Sequence, residues 1–218
     1  GLKTLTVIKK AKEFIRIHNK EIDEEINKAD INDPNVYKLL SKGLTRGIFQ
    51  IESSGMKDVL KNLKADKFDD IVALLALYRP GPLDSGMVDE YILRKNGKKK
   101  TEYPTPQLKK ILNETHGLFV YQEQIMNTAS VLSNFTLGDA DLLRRAMGKK
   151  KASEMKAQRE KFLNGAKDNE IDEKLAEDIF NTMEKFAEYS FNKSHSTAYA
   201  YITFQTAYFK TYYPCELM

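Results

Sequence analysis

Apolar residues recur along most of this chain with helical rather than strand spacing. In the stretch from Thr4 to His18, Leu5, Ile8, Phe14, Ile15 and Ile17 stand among lysines, which predicts an amphipathic helix. Asp33 followed by Pro34 is the signature of an N-cap with proline at the first helical position. It opens a predicted helix through Val36, Leu39 and Leu40 that stops near Gly43. Residues 47–51, Gly-Ile-Phe-Gln-Ile, are short and alternating, and predict an extended piece. Ser53, Ser54 and Gly55 introduce a helix carrying Met56, Val59, Leu60 and Leu63. The apolar run from Ile71 to Tyr78 would suit a buried strand by length. Its Ala and Leu content and the acids Asp69 and Asp70 at its start favour a helix. Arg79, Pro80, Gly81 and Pro82 cannot continue that helix, and a further short helix is expected from Gly86 to Arg94.

The residues from Asn96 to Lys100 and from Tyr103 to Pro106 form the clearest loop. Beyond it the chain is helical almost throughout. Segments are expected at 107–113, 122–133, 139–147, 151–168, 172–189 and 196–213. The fold class expected is mainly α: all-α with minor β, a multi-helix domain. Its 218 residues suit one domain over 1–218, with two lobes, about 1–96 and 106–218, joined by the loop 96–106.

Composition narrows the classes. No window approaches the roughly 18 uninterrupted apolar residues of a membrane span, and the N-terminus carries no secretory signal pattern. The single cysteine, Cys215, excludes an internal disulfide framework and any cysteine-rich zinc site. A reducing, cytoplasmic setting is the default expectation. With 35 basic and 31 acidic residues the net charge is only +4, so an acidic partner must be argued from where the charge lies.

It is concentrated from Arg144 to Lys161. Arg144 and Arg145 are adjacent, about 100° apart around a helix, and can grip neighbouring oxygens of one ligand. Lys149 follows Arg145 by four residues and shares its face. Lys150, Lys151, Lys156 and Arg159 extend the region. Paired guanidinium groups suit phosphate because each offers forked, planar donors and stays charged. The same residues also suit a merely solvated helical face. A second cluster, Tyr189, Asn192, Lys193, Ser194 and His195, puts several kinds of donor on an interhelical turn. From the residues alone, a helix-capping loop is the favoured reading of this cluster over a binding one. The aromatics from Tyr199 to Tyr213 read mostly as helix packing. Asp139 and Asp141 form a D-x-D, read here as capping and as partners for the arginines rather than as metal ligands. The three histidines are too far apart for a ligand set, and there is no Walker loop, dinucleotide motif or nucleophile elbow.

Several blocks in order along the chain carry a resemblance. They are Gly1 to Thr6, Gly47 to Ser53, Ala73 to Pro82, Ser85 to Val88, Val120 to Met126, Asp141 to Lys150, Phe191 to Ser196, and Tyr213 with Pro214. Together they closely resemble family C replicative DNA polymerases, the α subunits of bacterial DNA polymerase III, of the DnaE type. The resemblance implies a fingers domain cut away from the palm whose aspartates hold magnesium. That makes the chain part of a DNA-directed DNA polymerase, cytoplasmic and bacterial, and inactive alone. Its implied partners are the incoming deoxynucleoside triphosphate (dNTP), template–primer DNA, the palm of the same chain and other replisome subunits. By the same resemblance Arg144 and Arg145 contact the triphosphate, and Tyr189 and His195 line the nucleotide pocket. Lys149, Lys150, Asn192 and Lys193 are candidate phosphate or nucleic-acid contacts by proximity alone. One departure is Ser190, where the family usually has glycine; it would stiffen the turn. The alternative reading is a non-enzymatic helical module that binds nucleic-acid backbone through its basic face.

Overall fold

Four helix starts in this protein are set by short polar side chains that accept from the first free backbone N–H groups. In the computed structural model, which describes residues 2–149 and 152–217, Asp33 accepts from the N–H of Asn35 and Val36. Ser53 accepts from Met56, Thr105 from Leu108, and Asp172 from Leu175. Fourteen α-helices follow one another among the described residues, and the only β feature there is an isolated parallel bridge between Tyr121 and Phe191. The fold is all-α.

The chain forms two compact units, Gly1–Tyr78 with Ser194–Met218, and Arg79–Lys193. The loop 96–106 therefore lies inside the second unit, not between two lobes. Local contacts explain why it does not act as a linker. Lys99 pairs with Glu90 at 2.7 Å, the Tyr103 hydroxyl donates to Asn113 Oδ1 at 3.2 Å, and Thr105 caps the helix that follows.

The first unit holds α1 (Lys3–Ile15), α2 (Ile22–Lys28), α3 (Pro34–Ser41), α4 (Ser54–Leu63) and α5 (Phe68–Leu77). It also holds α13 (Lys193–Tyr212) from Ser194 onward and the short α14 (Pro214–Leu217). α5 confirms the helical reading of the apolar run, and its buried Asp70 accepts from the N–H of Asp66 and Lys67 at the helix start. Residues 47–51 are not extended. They form turns in which Ile48 and Ile51, three apart, are both buried. No strand is present beside them among the described residues. The hydroxyls of α13 serve the backbone instead: Phe49 N–H donates to Thr206 Oγ1, and Thr203 Oγ1 donates to the Phe49 carbonyl, each at 3.1 Å.

The second unit runs through α6 (Pro80–Asp84), α7 (Met87–Lys95), α8 (Pro106–Leu112), α9 (Gln122–Ser133), α10 (Leu137–Lys149), α11 (Ala152–Asp168) and α12 (Glu173–Ala187). The prolines after Arg79 do end α5, but Pro80 then opens α6, where a missing N–H costs nothing at the first helical position. Leu132, Phe135, Leu143, Phe162, Phe180 and Met183 anchor one core among α8 to α12. The Phe162 ring sits 5.4 Å from Phe180 and 6.3 Å from Phe135. α9, α10 and α11 pack pairwise, so the helix carrying Arg144 and Arg145 is fixed on two sides.

Candidate nucleotide and nucleic-acid site

α10 begins with a reciprocal cap. The Asp139 N–H donates to Thr136 Oγ1 at 3.2 Å, while Asp139 Oδ2 accepts from the Thr136 hydroxyl at 2.6 Å. One turn on, both arginines converge on a single carboxylate. Arg144 places Nε at 3.0 Å and Nη2 at 2.7 Å from Asp141 Oδ1, and Arg145 places Nη2 at 2.8 Å from Asp141 Oδ2. The i,i+3 and i,i+4 spacings make this geometry available on one helix face. Each carboxylate oxygen thus serves one guanidinium, as two oxygens of one phosphate would. The Arg144 hydrogen bond holds the Asp141 carboxyl below the usual range, and the Lys161 ammonium does the same for Asp139. Arg145 is the more open, with 60% of its side chain accessible against 27% for Arg144.

The rest of the basic region is partly spent on the protein. Lys161 pairs with Asp139 at 2.6 Å, and Arg159 donates to Asn181 at 2.8 Å with its guanidinium 5.3 Å from the Phe180 ring. Lys149 is the last residue of α10, and its side chain is outside the description, as is Lys150 altogether.

The second cluster follows α12. Tyr189 N–H donates to the Phe186 carbonyl at 3.0 Å, and the Ser190 hydroxyl to the Ala187 carbonyl at 2.8 Å. The serine thus ties the turn to the helix end. Phe191 N–H then donates to the Val120 carbonyl, and Gln122 N–H to the Phe191 carbonyl, each at 2.9 Å. Asn192 Nδ2 donates to Glu123 Oε1 at 2.9 Å. The Lys193 N–H, first of α13, donates to the same carboxylate at 3.0 and 3.1 Å, while its ammonium pairs with Glu114 and lies 5.4 Å from the Tyr121 ring. Tyr189 itself borders a cleft of ≈ 340 Å³ with Ser85, Met87, Arg94, Lys185 and Phe186. His195 belongs to the first unit, is exposed, and stacks on Tyr199 with ring centres 4.5 Å apart.

The structure therefore brings Arg144 and Arg145 together, and fixes Tyr189, Asn192 and Lys193 as one braced segment. Among the described residues, no hydrogen bond or ion pair joins either arginine to Tyr189. Sequence reasoning missed the braces: Arg79, Glu114 and Glu123. Arg79 donates to the Tyr189 carbonyl, and burial lowers its guanidinium from the usual arginine range. Its place in the Ala73 to Pro82 block, ahead of two prolines, was the only available signal. Among the described residues, no three His, Cys, Asp or Glu side chains are grouped to hold a metal ion. No described helix is long and apolar enough to cross a membrane.

Residues 4–170 match the family described as bacterial DNA polymerase III alpha subunit finger domain. The chain is 54% identical to DNA polymerase III subunit alpha of Aquifex aeolicus over 99% of its own length and 18% of that protein's. It is 53% identical to the Campylobacter jejuni protein of that name over 100% of its length, and 50% identical to the Escherichia coli K12 protein over 100%. These alignments span 18% and 20% of the two proteins, so the chain corresponds to about a fifth of such subunits. They extend past residue 170 and so include Tyr189 and His195. The chain belongs to the finger-domain family of bacterial DNA polymerase III α subunits.

Proposed function

We propose that this segment holds the triphosphate of the incoming dNTP, and helps position template–primer DNA, for nucleotidyl transfer by a complete α subunit. The observation that carries the reading is the pair of guanidinium groups on opposite oxygens of Asp141. The carboxylate occupies the place that phosphate oxygens would take, on a helix packed on two sides. In the reaction the primer 3′ oxygen attacks the α-phosphate and pyrophosphate leaves with growing negative charge. Arg144 and Arg145, released from Asp141, orient the triphosphate and offset that charge. Their planar, forked donors suit this better than lysines would. Tyr189, whose carbonyl is held by Arg79, offers its ring to the sugar or base, and the exposed His195 donates toward a phosphate.

Magnesium belongs in this reading to the palm, outside the chain. The residues present do not suit it, because Asp139 and Asp141 already hold Lys161 and the arginines. The segment alone is therefore inactive. The palm, the rest of the polymerase and further replisome subunits are its partners in a bacterial cytoplasm.

The test is steady-state kinetics of Arg145→Ala in the complete subunit. The apparent KM for dNTP rises sharply, or turnover falls. Kinetics equal to the unsubstituted enzyme would remove Arg145 from the site. A companion assay asks the isolated segment to extend a primer with dNTPs and magnesium; extension would overturn the placement of the metal-binding carboxylates outside it.

A further inference from the structure

We infer that Arg79 and Gly81 are positioning residues that clamp Tyr189 from two sides, a role in nucleotide selection that rests on the reading just given. The Tyr189 carbonyl lies just beyond the end of α12, where no helical N–H remains to donate to it. Arg79, 110 residues earlier, supplies a charged donor to that oxygen. Its guanidinium carbon also sits 4.9 Å from the centre of the Phe191 ring. One side chain thus holds the backbone at Tyr189 and the ring two residues on. A planar guanidinium does both at once, through its edge and its face, with a fixed angle between the two contacts that an ammonium does not impose.

Gly81 forms the other jaw. A Cβ built there would lie 2.7 and 2.8 Å from Cδ1 and Cε1 of the Tyr189 ring, closer than real Cβ contacts occur. The ring therefore lies directly against the backbone of residue 81. Pro80 and Pro82, with φ set by their own rings, stiffen that backbone. Tyr189 also borders the ≈ 340 Å³ cleft with Lys185 and Phe186. The clamp sets which way the ring faces that space, without itself supplying a cleft-lining side chain.

The experiment uses the complete α subunit and two readouts. Fluorotyrosine at position 189 reports ring placement by fluorine magnetic resonance, and steady-state kinetics report KM for dNTP and for primer–template separately. In Arg79→Gln and in Gly81→Ala the ring resonance shifts or broadens. KM for dNTP rises by roughly ten-fold, within the ~100-fold that a 1 Å misplacement can cost, and KM for primer–template stays unchanged. Arg79→Lys, which keeps the charge but not the fork, falls between. In a Tyr189→Ala background, Arg79→Gln adds less than about two-fold, because residues acting as a unit are non-additive. An unshifted resonance in both variants would overturn the clamp, as would fully multiplicative effects of Arg79→Gln and Tyr189→Ala. A shifted resonance together with an unchanged KM in Tyr189→Ala would instead overturn the nucleotide-site reading and leave the clamp standing.

Discussion

Replacing Gly165 by alanine tests whether α9 and α11, the two helices packed against α10, approach each other as closely as the structure shows. Gly165 faces the C-terminal end of α9 across the α9–α11 contact. A Cβ there would lie 2.2 Å from the Ser133 carbonyl oxygen, 2.8 Å from its carbon and 3.0 Å from its Cα. Ordinary van der Waals contact begins at 3.4 Å, so the oxygen is about 1.2 Å too close, and it is backbone at a helix end. No rotamer change relieves it; α9 and α11 must part. Overpacking of this kind costs about 1–3 kcal/mol. For a chain of this size each kcal/mol lowers Tm by roughly 2–4 °C, so a fall of about 2–12 °C is expected. Gly148 is the control. It is helical and exposed, no described atom lies within 4 Å of where its Cβ would stand, and its φ is not in the left-handed region. Alanine there is favoured by about 0.8–1.0 kcal/mol and Tm holds or rises. Thermal melts by circular dichroism of the two single variants decide the matter. A Gly165→Ala protein within about 1 °C of the parent would refute the close α9–α11 approach, as would a larger loss from Gly148→Ala.

Two further outcomes are expected. Burial raises the phenol of Tyr37, and burial followed by the Glu25 hydrogen bond raises that of Tyr208. Because the folded state keeps protons that the unfolded state loses above about pH 10, stability falls as pH rises through that value and continues to fall toward the folded-state pKa. Ultraviolet titration of the 11 tyrosines then shows a late group that ionises only with unfolding; a single normal transition for all of them contradicts the burial. Glu123→Ala removes the acceptor for the Lys193 N–H and for Asn192. Loss of this cap costs about 1 kcal/mol and increases amide exchange at Lys193; unchanged exchange there contradicts the capping role.

Much of the fold was legible because helix signals here are local. Asp33 with Pro34, Ser53 and Asp172 announce their helices within three residues, and apolar spacing carries the rest. Where the reading fell short, contacts outside the segment decided, some near in the chain and some distant. Residues 47–51 look extended by alternation, yet the N–H and carbonyl of Phe49 are taken by Thr206 and Thr203, more than 150 residues away, while Ile48 and Ile51 N–H close local turns. Pro80 and Pro82 do end α5 as read, and the same chemistry also starts α6, which the sequence reading did not include. The loop at 96–106 has the composition of a linker but is tied back by Glu90 and Asn113, and the chain's division follows its long-range packing instead. In the candidate site, the Arg144 and Arg145 pair was legible because Asp141 lies one turn away. The braces of Tyr189 to Lys193 were not, since Arg79, Glu114 and Glu123 reach them across 110, 79 and 70 residues.

The most direct measurement of the central claim is the structure of the complete α subunit with a terminated primer–template and the matching dNTP. The account expects the guanidinium groups of Arg144 and Arg145 within hydrogen-bond distance of triphosphate oxygens, with their contacts to Asp141 broken or shared. Both arginines still closed on Asp141, with the triphosphate held elsewhere, would contradict it.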